Sequence, residues 1–167
     1  MATGPRYKVP FRRRREGRTD YRRRLALVKS EKARAVVRSS NKHTRIQLVE
    51  YADGGDKVLA SAVSTELAKL GWTHSGKSTP GAYLTGYLAG KRALEKGVDN
   101  AVLDMGLKDP VKGCVLFAAM KGLLDAGVDV PHDGAVLPSD DRIKGRHMRE
   151  GTEAQFDEVK GKMGGAE

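Results

Sequence analysis

Three short runs of apolar residues predict β-strands in the first half of the chain. They span residues 35–39, 44–51 and 57–63. The segments between them, residues 40–43 and 53–56, are rich in polar residues and glycine, which are typical of tight turns. Because connections this short join neighbouring strands, we predict an antiparallel meander.

A four-residue period replaces the strand pattern after Pro80 and predicts a long helix. Gly86 and Gly90 lie four positions apart, as do a pair of tyrosines and a pair of leucines beside them. Such residues share one face of a helix, and Gly97 is suited to cap its C-terminus. Because the two glycines lack side chains, we expect this helix to lie close against the sheet.

Further elements complete the predicted fold. A buried strand is predicted at residues 101–105 and a helix at about residues 112–126. Near the N-terminus, Thr19 or Asp20 can cap a helix that continues to about Ser30. Together these elements predict an α/β fold, in which packed helices cover a mixed sheet made of an antiparallel meander plus a parallel strand.

The length and composition favour one domain with extensions. A chain of 167 residues, of which 39% are hydrophobic, can bury one core but is short for two independent domains. We expect a basic arm and the start of a helix at residues 1–24, the α/β domain at 25–134, and a C-terminal extension with a second basic cluster at 135–167.

Two further features favour the cytoplasm. No apolar run approaches the roughly 20 residues that cross a membrane, and no hydrophobic signal core follows the basic N-terminus. The single cysteine, Cys114, lies in an apolar run and is interpreted as a buried thiol in a reducing compartment. We therefore expect no contact with a membrane.

Positive charge is concentrated at the N-terminus. Of the 31 lysines and arginines, 16 lie in the first 45 residues beside three acidic residues, so this segment carries +13 and the remaining 122 residues carry −3. A net charge of +10 attracts polyanions. We therefore expect a nucleic acid as the partner and the N-terminal arm as its main contact.

Arginine, rather than lysine, dominates the arm. Its planar guanidinium group binds phosphate through two hydrogen bonds and stacks on bases, which suits structured RNA. Tyr7, Phe11 and Tyr21 are interleaved with the arginines and can also stack on bases. Residues up to about Gly17 include few apolar side chains, so we expect disorder until phosphates neutralise them. The alternative interpretation is a solvated tail or a nuclear-import signal.

Residues 71–78 match the phosphate-loop pattern G-x-x-x-x-G-K-[ST], which raises the alternative of a nucleotide-binding enzyme. Such a loop joins a buried strand to the N-terminus of a helix. Here residues 65–70 have helical character with Gly71 as their cap, and we expect residues 79–81 to delay any following helix. We therefore disfavour a nucleotide site and expect Lys77 to contact an RNA phosphate.

Other catalytic chemistry has little support in the sequence. A metal-dependent nuclease needs several carboxylates that converge on cations. The first predicted strand contributes none, and we interpret Asp104 as a structural residue at a strand end. The four histidines are scattered without the spacing of metal ligands. We expect no metal, no cofactor, no small-molecule substrate and no enzymatic activity.

Seven short segments, beginning with RRRREGRTDY at residues 12–21 and ending with RIKGRHM at 142–148, form a series along nearly the whole chain. The others are residues 82–86, 103–107, 118–122, 125–127 and 131–132. In order and spacing they resemble the universal large-subunit ribosomal protein family L-eighteen, in its archaeal form. The resemblance implies a ribonuclease-H-like fold without the catalytic site and a protein that binds 5S ribosomal RNA in the central protuberance. It also implies contacts with the large-subunit ribosomal RNA and with a neighbouring 5S-binding protein.

The resemblance implies RNA contacts by the arm and by the helix start at residues 19–21, aided by the turn at residues 41–43. Lys77 and basic residues elsewhere extend this set. The predicted RNA-binding residues are Arg6, Tyr7, Lys8, Arg12, Arg13, Arg14, Arg15, Arg18, Thr19, Tyr21, Arg22, Arg23, Arg24, Asn41, Lys42, His43, Arg45, Lys77, Arg142, Lys144, Arg146 and His147. A general RNA-binding protein and a phosphate-loop enzyme are the alternative functions.

Overall fold

A four-stranded sheet with helices packed on it forms the structure, a computed structural model that describes residues 4–164. The strands are β1 (Ala33–Ser39), β2 (Thr44–Glu50), β3 (Lys57–Val63) and β4 (Ala101–Asp104). The helices are α1 (Arg12–Arg15), α2 (Tyr21–Val28), α3 (Thr79–Leu94), α4 (Val115–Ala126), α5 (Asp140–Lys144) and α6 (Thr152–Gly164). Short 3-10 helices span Ser64–Leu70 and Gly134–Val136.

The sheet has the strand order β3-β2-β1-β4. Its first three strands pair antiparallel, and β1 pairs parallel with β4. Ala35 and Val37 of β1, and Ile46 and Leu48 of β2, have no exposed surface, because alternate residues of a strand point to the same face. The predicted fold class, a meander plus a parallel strand with packed helices, is confirmed. The likeness to ribonuclease H stays a prediction.

Helices α3 and α4 cover one face of the sheet and contact each other at glycines. A Cβ atom at Gly86 of α3 would overlap the carbonyl oxygen of Ala119 in α4, and one at Gly122 of α4 would overlap the carbonyl oxygen of Tyr83 in α3. Gly90 faces α4 as well. The expectation that the glycines hold α3 against the sheet is therefore wrong. Gly86 and Gly122 instead allow the backbones of α3 and α4 to approach each other, since a glycine has no side chain to separate them.

The C-terminal helices form a second apolar cluster with α3. Phe156, Val159 and Met163 of α6 and Ile143 of α5 are buried in it, together with Trp72 of the loop before α3. Apolar packing thus continues beyond residue 134, although the boundary expected there stays a prediction.

The residues that flank α3 and α4 differ in detail from the predicted ends. Gly97 lies in a left-handed turn after α3, with a φ of 73°, but the helix itself ends at Leu94. α4 begins at Val115, and Cys114 before it is only partly buried. Among residues 4–164, no helix combines the length and the apolar character that crossing a membrane requires.

Candidate nucleic-acid interface

The basic residues of the N-terminal arm are exposed. They are Arg6, Lys8, Arg12, Arg13, Arg14, Arg15 and Arg18, with Arg22 and Arg23 at the start of α2, and Tyr7 among them is exposed as well. Glu16 pairs with Arg12 at 3.8 Å and with Arg18 at 3.2 Å. Within residues 4–164, no arginine of α1 pairs with an acidic residue of the sheet or of another helix. The guanidinium groups of Arg13, Arg14 and Arg15 have no acidic partner within these residues and can bind an external anion.

Aromatic and polar contacts connect the arm to α2. The ring centroids of Phe11 and Tyr21 lie 5.2 Å apart. Nε of Arg13 donates to the hydroxyl of Thr19 at 2.9 Å. The predicted helix cap is confirmed, because the Asp20 carboxylate accepts two backbone N–H groups from the first turn of α2. The disorder that the sequence predicts for the arm stays a prediction.

A chain of ion pairs fixes α2 to the sheet. Nη2 of Arg24 lies 2.8 Å from the Asp56 carboxylate, and Nη2 of Arg34 in β1 lies 2.6 Å from it. Arg34 also pairs with Asp104 of β4 at 3.3 Å, and Arg38 pairs with Asp104 at 2.8 Å. Arg34 is only 2% exposed, so its charge depends on these carboxylates for compensation.

Asp56 and Asp104 have different surroundings but a common structural role. Burial raises the pKa of the Asp56 carboxyl, but hydrogen bonds from Arg34 and Arg24 outweigh it, and the pKa lies below its ordinary value of 3.8. Asp104 accepts the backbone N–H of Gly106 at 2.9 Å in addition to its two arginines. The structure supports the structural role predicted for Asp104, since its carboxylate is already occupied.

The face of the sheet opposite α3 and α4 carries polar side chains. Arg38 of β1 and Arg45 of β2 are paired across the antiparallel strands, and both are exposed. Gln47 and Ser61 form the next pair towards β3. Arg38 is absent from the predicted RNA-binding residues. The sequence feature that could have identified Arg38 is the alternation in β1, which places its side chain on the face opposite the apolar residues.

The turn between β1 and β2 lies beside Lys77. Asn41, Lys42 and His43 are exposed, and the hydroxyl of Ser40 accepts the backbone N–H of His43 at 3.0 Å. Asn41 and Lys77 line one groove with a volume of about 290 Å³. The fold therefore brings together two groups of predicted contacts that are distant in sequence.

Comparison with known proteins shows which family shares these features. Residues 5–101 match the model of a family described as ribosomal large subunit proteins 60S L5, and 50S L18. Large ribosomal subunit protein uL18 of Methanobrevibacter smithii is 53% identical over 98% of this chain and 84% of its own length. The uL18 protein of Haloarcula marismortui is 56% identical over 90% and 80%, and that of Methanococcoides burtonii is 51% identical over 98% and 97%.

The chain belongs to the uL18 family. This confirms the resemblance found in the sequence, including its archaeal form, because these relatives are archaeal. The uL18 proteins are structural constituents of the large ribosomal subunit, so this chain is a ribosomal protein and not an enzyme. Its location is therefore the ribosome, in the cytoplasm, as the sequence predicted.

In this uL18 chain the phosphate-loop pattern at residues 71–78 lacks the strand that should precede it. The 3-10 helix Ser64–Leu70 stands there instead. However, α3 begins at Thr79, directly after the pattern, so the expectation that residues 79–81 delay the helix is wrong. Pro80 is tolerated in the first turn, because the first N–H groups of a helix have no intrahelical acceptor.

The polar groups of this loop are used within the loop. The hydroxyl of Ser78 donates to the carbonyl of Ser75 at 2.6 Å and accepts the N–H of Gly81 at 3.2 Å. In a phosphate loop this hydroxyl would bind magnesium. Between residues 4 and 164, no three His, Cys, Asp or Glu side chains are grouped to bind a metal. The uL18 chain therefore carries the pattern without the geometry of a nucleotide site.

The C-terminal basic cluster is partly neutralised by neighbouring acids. Arg146 pairs with Asp141 at 2.6 Å and with Glu153 at 3.2 Å, and Lys144 lies 3.8 Å from Glu153. The other two predicted contacts, Arg142 and His147, are exposed. A smaller share of the arm's basic residues has an acidic partner, namely Arg12 and Arg18, so the arm is the stronger candidate for phosphate binding.

Proposed function

We propose that this chain binds 5S ribosomal RNA and helps to attach it to the large-subunit ribosomal RNA in the central protuberance, beside a neighbouring 5S-binding protein. One observation carries the proposal. The arginines of α1 are exposed and have no acidic partner in the body, whereas α2 beside them is fixed to the sheet through Arg24 and Asp56. The attached helix α2 thus holds the exposed arginines of α1 where a polyanion can bind them.

The chemistry of the interface favours folded RNA over a uniform polyanion. Arginine forks bind phosphates and stack on unpaired bases, which folded RNA offers in its loops and bulges. In the proposed complex the arm neutralises phosphates. Arg38 and Arg45 on the open sheet face, and the turn at residues 41–43 with Lys77, supply further contacts. The preference for 5S RNA rests on the family resemblance.

Competitive binding tests the proposal. The full chain would be mixed at physiological salt with labelled 5S RNA and with an unlabelled control RNA of equal length and shuffled sequence. We expect 5S RNA to bind at least about a thousandfold more tightly, the lower end of specific over non-specific binding known for DNA-binding proteins. Equal affinity for the two RNAs would contradict the proposal and favour a general RNA-binding protein.

The attachment step has a separate test. Large-subunit ribosomal RNA would be sedimented with labelled 5S RNA in the presence and absence of the chain and of the neighbouring 5S-binding protein. We expect the chain to increase the 5S RNA that sediments with the large RNA. An unchanged amount would limit the function to binding of 5S RNA alone.

A further inference from the structure

We propose that a cleft under the arm holds one unpaired nucleotide of the bound RNA, with its base on an apolar floor and its phosphate on arginines of the arm. The inference rests on the proposed function. The cleft lies between the arm, α2 and the end of β4 and has a volume of about 480 Å³. Pockets for small molecules measure about 300–1,000 Å³, so one nucleotide is a suitable occupant.

The floor of the cleft is apolar. Ala26 and Leu27 of α2 form one side of it, and Leu103 of β4 with Met105 and Pro110 of the following loop forms the other. A simple phosphate or sulfate would gain nothing from such a floor. The flat face of a nucleobase gains from it, because burial of apolar surface is favourable and displaced bases stack on apolar as well as aromatic side chains.

Arg38 supplies a planar surface at the end of this floor. Its Nη1 donates to the carbonyls of Val37 at 2.9 Å and Asp104 at 2.6 Å, and its Nη2 donates to the Asp104 carboxylate at 2.8 Å. One side of the guanidinium packs on Gly106, where a Cβ would lie 2.9 Å from Cζ. The side chain is nevertheless 47% exposed. A guanidinium held in this way can stack on a base with little further loss of side-chain freedom.

The rim of the cleft is cationic. Arg13, Arg18 and Arg23 line it. Arg13 donates to the hydroxyl of Thr19 at 2.9 Å and Arg23 to the carbonyl of Gly106 at 3.4 Å. Nε of Arg23 also lies 3.5 Å from the Asp20 carboxylate, and Nε of Arg18 lies 3.2 Å from Glu16. Each of these bonds uses one N–H of a guanidinium that has five. The remaining donors suit a phosphate group. An apolar ligand would have no use for this rim, so the two halves of the cleft together match a nucleotide.

A pocket-filling variant tests the inference on RNA. Ala26→Leu adds volume to the cleft without changing charge, and Ala154→Leu makes the same change at an exposed position of α6. In complexes of the parent and of each variant, the Watson–Crick edges of 5S RNA would be probed with dimethyl sulfate at adenine and cytosine and with a carbodiimide at guanine and uracil. We expect a small group of nucleotides to become several-fold more reactive with Ala26→Leu only, while all other protections persist. Identical footprints for all three proteins would overturn the proposal.

A second measurement needs no variant and so does not depend on how Ala26→Leu folds. The full chain would be titrated with each of the four nucleoside 5′-monophosphates and, separately, with inorganic phosphate, while the methyl resonances of Leu27, Leu103 and Met105 are recorded. Shifts with a nucleotide but not with phosphate support the inference. Equal shifts with phosphate, or none with any nucleotide, would overturn it. A chain that prefers 5S RNA but fails this titration retains the proposed function without the cleft, whereas a chain that takes nucleotides without preferring 5S RNA loses the proposed function alone.

Discussion

The ammonium group of Lys160 in α6 donates a hydrogen bond of 2.8 Å to the hydroxyl of Tyr83 in α3. That hydroxyl donates in turn to Asp125 of α4 at 2.6 Å, so three helices meet at one phenol. Burial, followed by the hydrogen bond to Asp125, raises the pKa of Tyr83 above its ordinary value of 10.0. The hydroxyl therefore stays protonated at neutral pH and keeps its role as a donor.

Removal of that hydroxyl is expected to loosen α6. Tyr83→Phe keeps the ring but deletes both hydrogen bonds. We expect the free energy of unfolding to fall by about 1.5–3 kcal/mol, since both partners, the Lys160 ammonium and the Asp125 carboxylate, are charged. Tyr87→Phe is the control, because the Tyr87 hydroxyl has no hydrogen bond within residues 4–164. The change keeps the aromatic ring, which lies 5.6 Å from Nζ of Lys160. Urea unfolding and amide exchange in α6 are the measurements. Equal effects of the two changes would contradict the assigned role.

The helix contact at Gly86 predicts a strong effect of a single methyl group. Gly86→Ala places a Cβ on the carbonyl of Ala119, and we expect a loss of about 1–3 kcal/mol or more from overpacking. Gly161→Ala in α6 meets no atom within 4 Å and is expected to stabilise the helix by about 0.5–1 kcal/mol. Thermal melts of both variants check the prediction. A Gly86→Ala protein as stable as the parent would mean that α3 and α4 do not cross there.

The ion pairs of Asp56 predict a dependence of stability on pH. Because the folded pKa lies below 3.8, the ionised carboxylate stabilises the fold above that pH, and this contribution is lost as the pH falls through the folded pKa. Asp56→Asn should lower the free energy of unfolding by about 1–3 kcal/mol at pH 7, with a gap from the parent that narrows in acid. Asp53→Asn is the control, because Asp53 lies in the same turn but has no ion pair within residues 4–164, whereas Asp56 pairs with Arg24 and Arg34. A gap independent of pH would rule out the ion pair as its cause.

The arm predicts a change in the salt dependence of 5S RNA binding. Replacement of Arg12, Arg13, Arg14 and Arg15 by alanine removes four cations, and the slope of log affinity against log salt should decrease by up to about three. Replacement by four lysines keeps the charge, so the slope should persist while the affinity falls through the loss of the guanidinium forks. The measurements are salt titrations of 5S RNA binding for the parent and both variants, together with thermal melts of the three free proteins. If alanine leaves both slope and affinity unchanged, the arm does not contact 5S RNA.

The loop at residues 71–78 predicts the absence of nucleotide binding. Titration calorimetry with ATP and with GTP should give no heat of binding, since no strand precedes the loop and the hydroxyl of Ser78 is engaged. Lys77→Ala would serve as the control if heat were detected. Micromolar binding that this change abolishes would show that the loop is a working phosphate site.

The strands could be predicted within two residues of their ends, because their side chains alternate between a buried and an exposed face. The same alternation contained Arg38. However, the sequence alone does not show whether an arginine in a strand is held by an ion pair or only faces water, because that depends on the neighbouring strands. Once β2 places Arg45 beside it and β4 brings Asp104 to its guanidinium, its role becomes visible.

Contacts between helices could not be predicted in this way. The spacing of Gly86 and Gly90 identifies a helix face but not the element it meets, and that element proved to be α4 rather than the sheet. Similarly, the proline at position 80 reads as a break in a sequence, although in the first turn of α3 it removes no hydrogen bond. In both cases the tertiary environment decides between two local interpretations.

The parallel pairing of β1 with β4 also sets the order in which the molecule can assemble. Ala33 pairs with Ala101, whereas β1 and β2 are joined by a short turn and can pair as soon as both are made. A ribosome adds about 5–20 residues per second, so β1 waits several seconds for its second neighbour. During that interval Arg34 lacks Asp104. The basic arm precedes β4 in the chain, so it leaves the ribosome that makes it several seconds before the sheet end that supports it can be completed.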